Sequence, residues 1–453
     1  MDETASVSIR AITVPPTGKK RILILGGGFA GAYTALHLEK QLVDEPDYEV
    51  VLIAKENFVL FTPMLHEVAG SDVSVTDIVQ PLRKMLRRTR VAIADVEAID
   101  LAGKQIRARH ADLPNPYDIP YDQLVLALGS VTNFFKTPGL AEHALTMKTL
   151  GDALLVRNRV IDALELADNQ LIPAARQLTL TVVVAGGGFA GAETVGAVND
   201  FLREGMKFYP HLTEDMLRIV LVHPGEVILP ELGVGLGRYA QKKLADRGVE
   251  IRVKTKVSGY DGHEVVLNDG TKIATRMLIW TAGTTPSPVL SGLPCALERG
   301  RVVANEFLQV PNWPGVWALG DCAAVPDPYN PGKSYPPTAQ HATREAKVLA
   351  KNIKVAMHGG TLQPFRFKIL GMLAAIGRRT GVAEILGLKF SGIIAWWLWR
   401  GIYLSKLPGF AKKVRVALDW SLDLIFSKDI VQIPTLQSPT MSATEEVSTV
   451  HQS

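Results

Sequence analysis

Two runs of consecutive apolar residues, each followed by the same glycine-rich string, stand out in the pattern of hydrophobic and polar positions along the chain. Residues 22–25 read ILIL and residues 181–185 read TVVVA, which is typical of strands buried on both faces of a parallel sheet. The string GGGFAGA follows at residues 26–32 and again at residues 186–192, 160 positions later. The pattern predicts two units of the same kind, each with a buried strand that enters a glycine turn.

The glycine string fits a turn that binds the pyrophosphate of a dinucleotide. It precedes a predicted helix, over Ala32 to Lys40 in the first unit and Ala192 to Leu202 in the second. The first glycine permits the tight turn, the second lets the backbone approach the phosphates, and the third lets the helix pack close to the strand. One copy would be a weak signal, but two copies in context indicate two nucleotide sites. The simplest pair of dinucleotides for two such sites in one chain is a tightly held FAD and a diffusible nicotinamide. We therefore expect hydride transfer to a flavin.

Further apolar runs predict the rest of the two units. We expect a pair of strands over Arg90 to Asp100 and Lys104 to Arg109, and a helix over Lys148 to Leu166. Tyr121 to Ser130 predicts a buried strand ending in a glycine turn, and Met277 to Gly283 repeats that pattern. Strands that alternate with helices in this way predict an α/β fold with parallel sheets.

Acidic residues after the strands bear on both nucleotide sites. The second strands, Tyr48 to Ala54 and Leu217 to His223, lack the acid that usually binds a ribose at this point, although Glu56 and Glu226 follow closely. The choice between NADH and NADPH therefore stays open, with a weak preference for NADH. Asp321 follows a later apolar run, and its carboxylate suits a hydrogen bond to the ribityl chain of FAD.

Composition and charge change this picture mainly at the C-terminus. The chain has 453 residues, room for about three domain-sized units, and its two cysteines exclude a disulfide framework. Residues 1–20 have no apolar core of a secretory signal. The formal net charge is +4, but residues 378–415 hold eight Lys and Arg against the single acid Glu384, so that segment is +7 and the remainder −3 (4 − 7).

Apolar and aromatic residues in this basic segment favour a membrane surface over nucleic acid. The apolar run at 390–399 is too short to span a bilayer, which takes about 20 residues. Four tryptophans lie in this region, and indoles settle at the level of lipid headgroups: Trp396, Trp397, Trp399 and Trp420. Nearby cations suit anionic headgroups: Lys406, Lys412, Lys413 and Arg415. A helical stripe follows at Val414, Leu418, Leu422 and Ile425. The alternative is that these residues pack on the chain's own core or on a second copy in a homodimer.

Several of these segments resemble the two-dinucleotide-binding flavoproteins: the paired GGGFAG turns, YDQLVLALGS at 121–130, LIWTAG at 278–283 and ALGDCAA at 318–324. Within that superfamily, three more segments resemble type II NADH:quinone oxidoreductases: LFTPML at 60–65, PTAQ at 337–340 and AWWLWRGIYLSKLP at 395–408. The resemblance implies two Rossmann-like domains of the glutathione-reductase type plus a C-terminal membrane-associated α segment. It also implies non-covalent FAD, NADH as reductant and a membrane quinone as acceptor, on the cytoplasmic face of the inner (cell) membrane. No metal is expected.

The resemblance also implies domain limits and site residues. An FAD-binding domain would comprise 18–147 and 305–362, an NAD(P)H-binding domain 148–304, and a membrane-anchoring region 363–432, between a flexible N-terminus (1–17) and a disordered tail (433–453). FAD would contact Gly26, Gly28, Phe29, Ala30, Gly31, Lys55, Thr62, Gly129, Asp321 and Gln340. NADH would contact Gly186, Gly188, Phe189, Gly191, Glu193, Ala282 and Gly283. Glu193 and Gln340 are the catalytic candidates. Glu193, expected in the first turn of its helix, either relays protons to the quinone or is an acid that the helix dipole stabilises.

Other members of the superfamily give the competing hypotheses. Arg344 stands where the family motif A-Q-x-A-x-Q often has its second glutamine, so the type of quinone stays open. Disulfide reductases and sulfide:quinone reductases need paired cysteines near the flavin, whereas Cys295 and Cys322 are expected to be inert. The main alternative function is a soluble FAD-dependent NAD(P)H reductase or redox sensor whose C-terminal segment mediates dimerisation.

Overall fold

A computed structural model describes residues 17–111, 113 and 115–433. The predictions of a flexible N-terminus and a disordered tail therefore fall almost wholly outside the described residues. Strands and helices follow one another along most of the described length.

Up to residue 146 the elements are β1 (Lys20–Leu25), α1 (Phe29–Gln41), β2 (Tyr48–Ala54), β3 (Phe58–Leu60), α2 (Leu65–Ala69), β4 (Val79–Pro81), α3 (Leu82–Met85), β5 (Arg90–Ile93), β6 (Asp95–Asp100), β7 (Gln105–Arg109), β8 (Tyr117–Pro120), β9 (Gln123–Leu126), β10 (Ser130–Thr132), α4 (Leu140–His143) and β11 (Leu145–Thr146). From there to residue 286 they are α5 (Leu150–Asp168), α6 (Pro173–Thr179), β12 (Thr181–Ala185), α7 (Phe189–Gly205), β13 (Arg218–Val222), α8 (Gly233–Ala245), β14 (Val249–Arg252), β15 (Val257–Tyr260), β16 (Glu264–Leu267), β17 (Lys272–Ala274), β18 (Met277–Trp280) and β19 (Thr284–Pro286). The rest are β20 (Leu297–Glu298), β21 (Arg301–Val303), β22 (Val316–Ala318), β23 (Ala323–Ala324), α9 (Ala339–His358), β24 (Gly371–Ala375), β25 (Gly381–Ile385), β26 (Leu388–Ser391), α10 (Gly392–Lys406) and α11 (Phe410–Leu422).

Two five-stranded parallel sheets carry the two glycine turns. The first has the order β22-β9-β1-β2-β5 and the second β11-β18-β12-β13-β14. In each sheet the strand before the glycine turn is central and almost fully buried, because helices or further strands cover both faces. Since the carboxyl ends of parallel strands meet at one edge, each glycine turn lies beside the end of a neighbouring strand.

The predicted elements are found with shifted ends. Both helices begin earlier than expected, at Phe29 and Phe189 inside the glycine string. The single strand predicted over Arg90 to Asp100 is wrong, because the strand is interrupted at Ala94. The first half, β5, joins the first parallel sheet, and the second half, β6, pairs with β7 in a separate antiparallel sheet.

The C-terminal part forms an antiparallel sheet, β24-β25-β26, followed by α10 and α11. Val382 and Ala383 of this sheet share one hydrophobic core with the second parallel sheet, α2 and the two C-terminal helices. In the described part of the chain, no helix combines the length and the apolar character that crossing a bilayer requires.

Candidate functional site

The two glycine turns have the same backbone conformation. Gly26 and Gly186 both have a φ of +111°, in the left-handed region that favours glycine. A side chain at Gly26 would lie 2.1 Å from the carbonyl oxygen of Ala127, at the end of the neighbouring strand β9. The third glycines pack as closely, since a side chain at Gly31 would lie 1.9 Å from the Gly26 oxygen, and one at Gly191 1.7 Å from the Gly186 oxygen. Only glycine fits these positions.

The second glycines leave space for a ligand. A side chain at Gly28 or Gly188 would meet no atom of the described chain within 4 Å. These residues precede α1 and α7, whose first turns have neither a side-chain cap nor an acid. Phosphate oxygens can therefore approach the free backbone N–H groups of both helices. The residues present fit the pyrophosphates of two dinucleotides.

Asp321 lies against the first glycine turn. Gly320 packs so close to α1 that a side chain there would lie 2.8 Å from the Ala30 methyl group. The Asp321 carboxylate accepts a hydrogen bond from the Ser130 hydroxyl at 2.8 Å, and the Lys148 ammonium lies 3.6 Å away. Its side chain is 28% exposed, which leaves an oxygen accessible to a ligand hydroxyl. The sequence reasoning missed Ser130 and Lys148 as partners of Asp321, because they come from separate segments.

The remaining cofactor candidates lie around the two turns. Gly129 adopts a positive φ of +65° after β9, with open space around it, and Thr62 is exposed at the start of a short 3₁₀ turn. Lys55 is exposed after β2, with its ammonium 3.6 Å from Asp95. In the second unit, Ala282 and Gly283 follow β18, beside Gly186 and the Phe135 ring respectively. These residues stay predictions as ligands.

A histidine replaces the ribose-binding acid of the second unit. His223 directly follows β13, and its Nδ1 accepts the Gly187 N–H at 3.1 Å. Desolvation lowers the pKa of His223, so the ring is neutral and keeps this acceptor role. Glu226 does not take its place, since its side chain is 81% exposed and pairs with Lys254 at 3.0 Å.

Gln340 lies in the first turn of α9 with one polar atom free. Its Nε2 donates to the Gly371 carbonyl oxygen at 2.9 Å, while its Oε1 is buried without a partner in the described chain. An unpaired buried acceptor fits a donor on a ligand. His341 turns inward instead and packs against the Tyr335 ring, with 4.9 Å between the ring centroids. Arg344 lies with its guanidinium 4.1 Å from the centre of the Phe367 ring.

Glu193 is buried where α7 meets the C-terminal part of the chain. Its Oε1 accepts hydrogen bonds from the Trp399 indole at 3.1 Å and the Ala375 N–H at 3.2 Å, and its Oε2 lies 3.6 Å from His66 Nδ1. The prediction that Glu193 lies in the first helical turn is wrong. The helix begins at Phe189, so Glu193 is in its second turn, beyond the reach of the unpaired N–H groups at the helix end. Desolvation raises the pKa of Glu193 well above its usual value, which favours the protonated carboxyl.

A line of aromatic rings connects Glu193 to the first glycine turn. Phe29 of that turn contacts Phe61, with ring centroids 5.9 Å apart, and Phe61 contacts Tyr403 of α10 at 6.1 Å. Tyr403 contacts Trp399 at 4.8 Å, and Trp399 donates to Glu193. Glu193 therefore lies next to a dry aromatic wall that begins at the predicted FAD turn.

A second buried glutamate was given no role from the sequence. Glu67 of α2 accepts a hydrogen bond from the Trp420 indole of α11 at 2.6 Å. The Arg400 guanidinium lies over the Trp396 and Trp420 rings, 3.9 and 4.7 Å from their centres. An arginine inside the apolar run 395–402 was the available sequence signal, because a buried cation needs acids or aromatic faces around it.

Three of the four C-terminal tryptophans do not lie where the sequence analysis expected. Trp396, Trp399 and Trp420 are buried. Trp399 and Trp420 belong to the shared core and donate to buried glutamate side chains, and the Trp396 ring lies under the Arg400 guanidinium. Trp397 is 56% exposed.

The basic segment, residues 378–415, is also partly internal. Four of its cations face acids from outside the segment: Arg378 faces Glu204, Arg400 faces Asp423, and Lys412 and Arg415 face Asp77.

The helices α10 and α11 and the turn that follows α11 carry a set of exposed apolar side chains, which we call the apolar face: Ile393, Ile394, Trp397, Phe410, Val414, Leu418, Leu422, Ile425 and Phe426. In α11 the spacing of four residues from Phe410 to Leu422 gives one continuous stripe. Contiguous apolar surface of this kind marks a binding surface.

The cysteines lie apart from any redox arrangement. Cys295 and Cys322 are both free thiols. Burial raises the pKa of Cys322 to about 12 and also raises the pKa of Cys295. Neither thiol is activated as a nucleophile.

Comparison with known proteins matches two families. Residues 20–346 match the pyridine nucleotide-disulphide oxidoreductase family, and residues 369–429 match the NDH2 C-terminal domain. The chain is similar to the type II NADH:quinone oxidoreductase Ndh of Mycobacterium tuberculosis, with 32% identity over 92% of this chain and 90% of the relative. A probable NADH dehydrogenase of Dictyostelium discoideum is 29% identical over 91% of both chains.

The fold is similar to that of a solved structure, NDH2 from Plasmodium falciparum in complex with NADH. The TM-score is 0.84 at 21% identity, and the match covers 91% of this chain and 100% of the other.

Proposed function

The chain belongs to the pyridine nucleotide-disulphide oxidoreductase family, and we propose that within it the chain works as a type II NADH:quinone oxidoreductase. The family predicted from the sequence is confirmed. One observation carries the activity: similarity to a type II NADH:quinone oxidoreductase extends over 92% of the chain and includes the C-terminal part, which matches the NDH2 C-terminal domain.

When bound, FAD supplies the redox chemistry, taking hydride from NADH and passing two electrons to a quinone. The chain's own residues bind and orient the reactants. The N–H groups at the starts of α1 and α7 would bind the two pyrophosphates, and Asp321 would accept a hydrogen bond from the ribityl chain. The free Gln340 Oε1 would accept a hydrogen bond from an N–H group of the flavin ring. Phe61, Tyr403 and Trp399 exclude water from this side of the site.

Glu193 holds a proton for the quinone. The carboxyl is buried next to the aromatic wall, and desolvation raises its pKa well above the usual value. Trp399 and Ala375 fix its Oε1. Replacing Glu193 with Gln keeps both hydrogen bonds but removes the transferable proton. We expect Glu193→Gln to slow quinol formation by about 10²-fold, in the range for general acid catalysis, and to leave flavin reduction by NADH unchanged in stopped-flow absorbance. Unchanged steady-state rates would remove Glu193 from the mechanism.

The apolar face supports a position of the enzyme on a membrane surface. A long-tailed quinone stays in lipid, so the acceptor side of the site must reach the bilayer. The apolar side chains of α11 suit the acyl boundary, and Lys406 and Lys413 beside them suit anionic headgroups. We infer a peripheral protein on the cytoplasmic face of the inner (cell) membrane, where NADH is available.

The direct test is to purify the protein and follow its flavin. We expect a yellow protein that NADH bleaches anaerobically and that a short-tailed quinone restores, with one quinol formed per NADH. A colourless protein that stays so when offered FAD would overturn the proposal. Release from membranes by buffer alone, together with a dimer in solution, would favour the soluble reductase in which the apolar face joins two copies.

A further inference from the structure

A small cavity lies behind Glu193, away from the aromatic wall. It has a volume of about 30 Å³ and lies between α2, α7, the turn after β24, α10 and the end of α11. This volume holds one or two water molecules. Its inner wall contains His66, Glu67 and Glu193. Arg378 lies at its rim, and Asp200 and Asp423 line the space between.

The cavity runs from the protein surface inward. The exposed fraction of the side chains falls from 35% at Arg378 to 9% at Glu193 and 7% at His66. His66 Nε2 is buried without a partner in the described chain, and so is Arg378 Nε. Such polar atoms at both ends suit water in the space between them.

We propose that Glu67 and this cavity deliver the proton that quinone reduction takes from water, with Glu67 passing it to Glu193. This inference rests on the proposed function. The overall reaction, NADH + H⁺ + quinone → NAD⁺ + quinol, consumes one solvent proton per turnover. After Glu193 has given up its proton, the Glu67 carboxyl gives its own to the Glu193 carboxylate through cavity water. The Glu67 carboxylate then takes a proton from water at the Arg378 rim. No electrons move in these steps.

The surroundings of Glu67 suit a carboxyl that exchanges a proton near neutral pH. Burial and the nearby Asp72 raise the pKa of Glu67, whereas Arg400, the Trp420 hydrogen bond and Lys428 lower it. Burial outweighs the opposing causes, and the pKa of Glu67 is raised to about 8. His66 beside it is neutral, since burial lowers its pKa to about 3. Charged or titratable groups from the elements packed around Glu67 are Asp72, Glu193, Asp200, Arg400, Asp423 and Lys428, with Arg378 at the rim.

The competing explanation is that Glu67 only anchors α11 through Trp420. The variants Glu67→Gln and Trp420→Phe separate the two roles. Glu67→Gln keeps an oxygen that accepts from Trp420 but removes the titratable proton. Trp420→Phe removes the anchor but keeps the carboxyl and an aromatic ring over Arg400. A delivery role predicts that only Glu67→Gln slows quinol formation. An anchoring role predicts that Trp420→Phe slows quinol formation by as much as Glu67→Gln does.

The experiment uses the full-length holoenzyme in stopped flow. At pH 7 we expect Glu67→Gln to slow reoxidation by a short-tailed quinone at least tenfold, with unchanged flavin reduction by NADH. The wild-type reoxidation rate should fall as pH rises through about 8, where Glu67 loses its proton, and the Gln variant should lose that step. A Glu67→Gln variant with wild-type reoxidation and the wild-type pH profile would overturn the proposal.

A second measurement does not depend on turnover. Infrared difference spectra of the resting protein between pH 6 and pH 9 should show a buried protonated carboxyl that titrates near pH 8 and is missing in Glu67→Gln. Absence of this band in the wild type overturns the delivery role even if the Gln variant fails to fold. A protein that shows the band but reduces no quinone would disprove the enzymatic function instead, so the two failures are distinguishable.

Discussion

Glu67, Glu193 and Glu345 are buried. Among the described residues, none of the three forms an ion pair with a Lys or Arg nitrogen within 4 Å. Each accepts a hydrogen bond from an N–H group, and in each desolvation outweighs those bonds and raises the pKa. The first two lie at the cavity. Glu345 of α9 instead accepts from the Gly320 N–H at 2.7 Å and so fixes the turn that presents Asp321.

At this residue scale, Glu345 predicts a pH dependence of stability. Its pKa is raised from 4.5 to about 7, so its contribution is fully present below pH 4.5 and is lost as pH rises through about 7. The shift corresponds to about 3 kcal/mol. We expect the free energy of unfolding of the FAD-bound protein, from denaturant titrations, to fall between pH 5 and pH 8. In Glu345→Gln the fall should be smaller by about that amount. The exposed Glu165→Gln is the control, and an equal slope in both variants would contradict the prediction.

At the scale of elements, the C-terminal helices are two-sided. One side of α10 and α11 is fixed in the core by tryptophans that donate to Glu193 and Glu67, and the other side presents the apolar face. The sequence pattern showed both sets of residues but not which set faced inward. The distinction matters because adjacent tryptophans then have opposite roles.

Trp396 and Trp397 test this arrangement as a matched pair. Trp396 is 4% exposed, so we expect Trp396→Ala to lower the free energy of unfolding by about 3–5 kcal/mol. Trp397 is 56% exposed, so Trp397→Ala should change stability by less than about 0.5 kcal/mol but weaken binding to lipid vesicles about tenfold. Denaturant unfolding and vesicle flotation measure the two effects. Full vesicle binding by Trp397→Ala would disprove membrane contact through α10.

The contact of α7 with the C-terminal sheet depends on a glycine. A side chain at Gly196 would lie 2.6 Å from the Ile376 backbone, whereas one at Gly235 of α8 would meet no atom of the described chain within 4 Å. We expect Gly196→Ala to destabilise the protein by about 1–3 kcal/mol through overpacking. Gly235→Ala, also in a helix, should stabilise it by up to about 1 kcal/mol. Thermal unfolding compares them, and equal effects would mean that α7 does not need this close approach.

At the scale of the whole molecule, two nucleotide-binding sheets and a C-terminal part meet around Glu193. Four cations of the basic segment form internal ion pairs, so in the proposed membrane-bound enzyme apolar contact must supply much of the affinity for lipid. We therefore expect the protein to stay on phosphatidylcholine–phosphatidylglycerol vesicles when salt rises from about 0.1 to 1 M, which shortens the Debye length from about 10 to 3 Å. Detergent should release it. Release by salt alone would assign the affinity to charge.

The sequence by itself determined the two nucleotide units. Their glycines are required locally, since strand, turn and helix follow one another within about a dozen residues and Gly26 and Gly186 need a positive φ. It also led to the family and the activity through short segments of unusual composition. The domain limits and the ligand roles of single residues stay predictions, because they depend on contacts with molecules that the chain does not contain.

Only the tertiary structure decided which C-terminal residues face inward and which glutamate carboxyls are buried away from solvent. Trp420 and Glu67 are 353 positions apart, and Trp399 and Glu193 are 206 apart. No local pattern encodes such pairs, because burial depends on how separate elements pack. A short helix has the same hydrophobic stripe in its sequence whether that stripe packs on a core or lies on a bilayer. In this protein, the partners of the buried cations and carboxyls show which side of each helix faces the core.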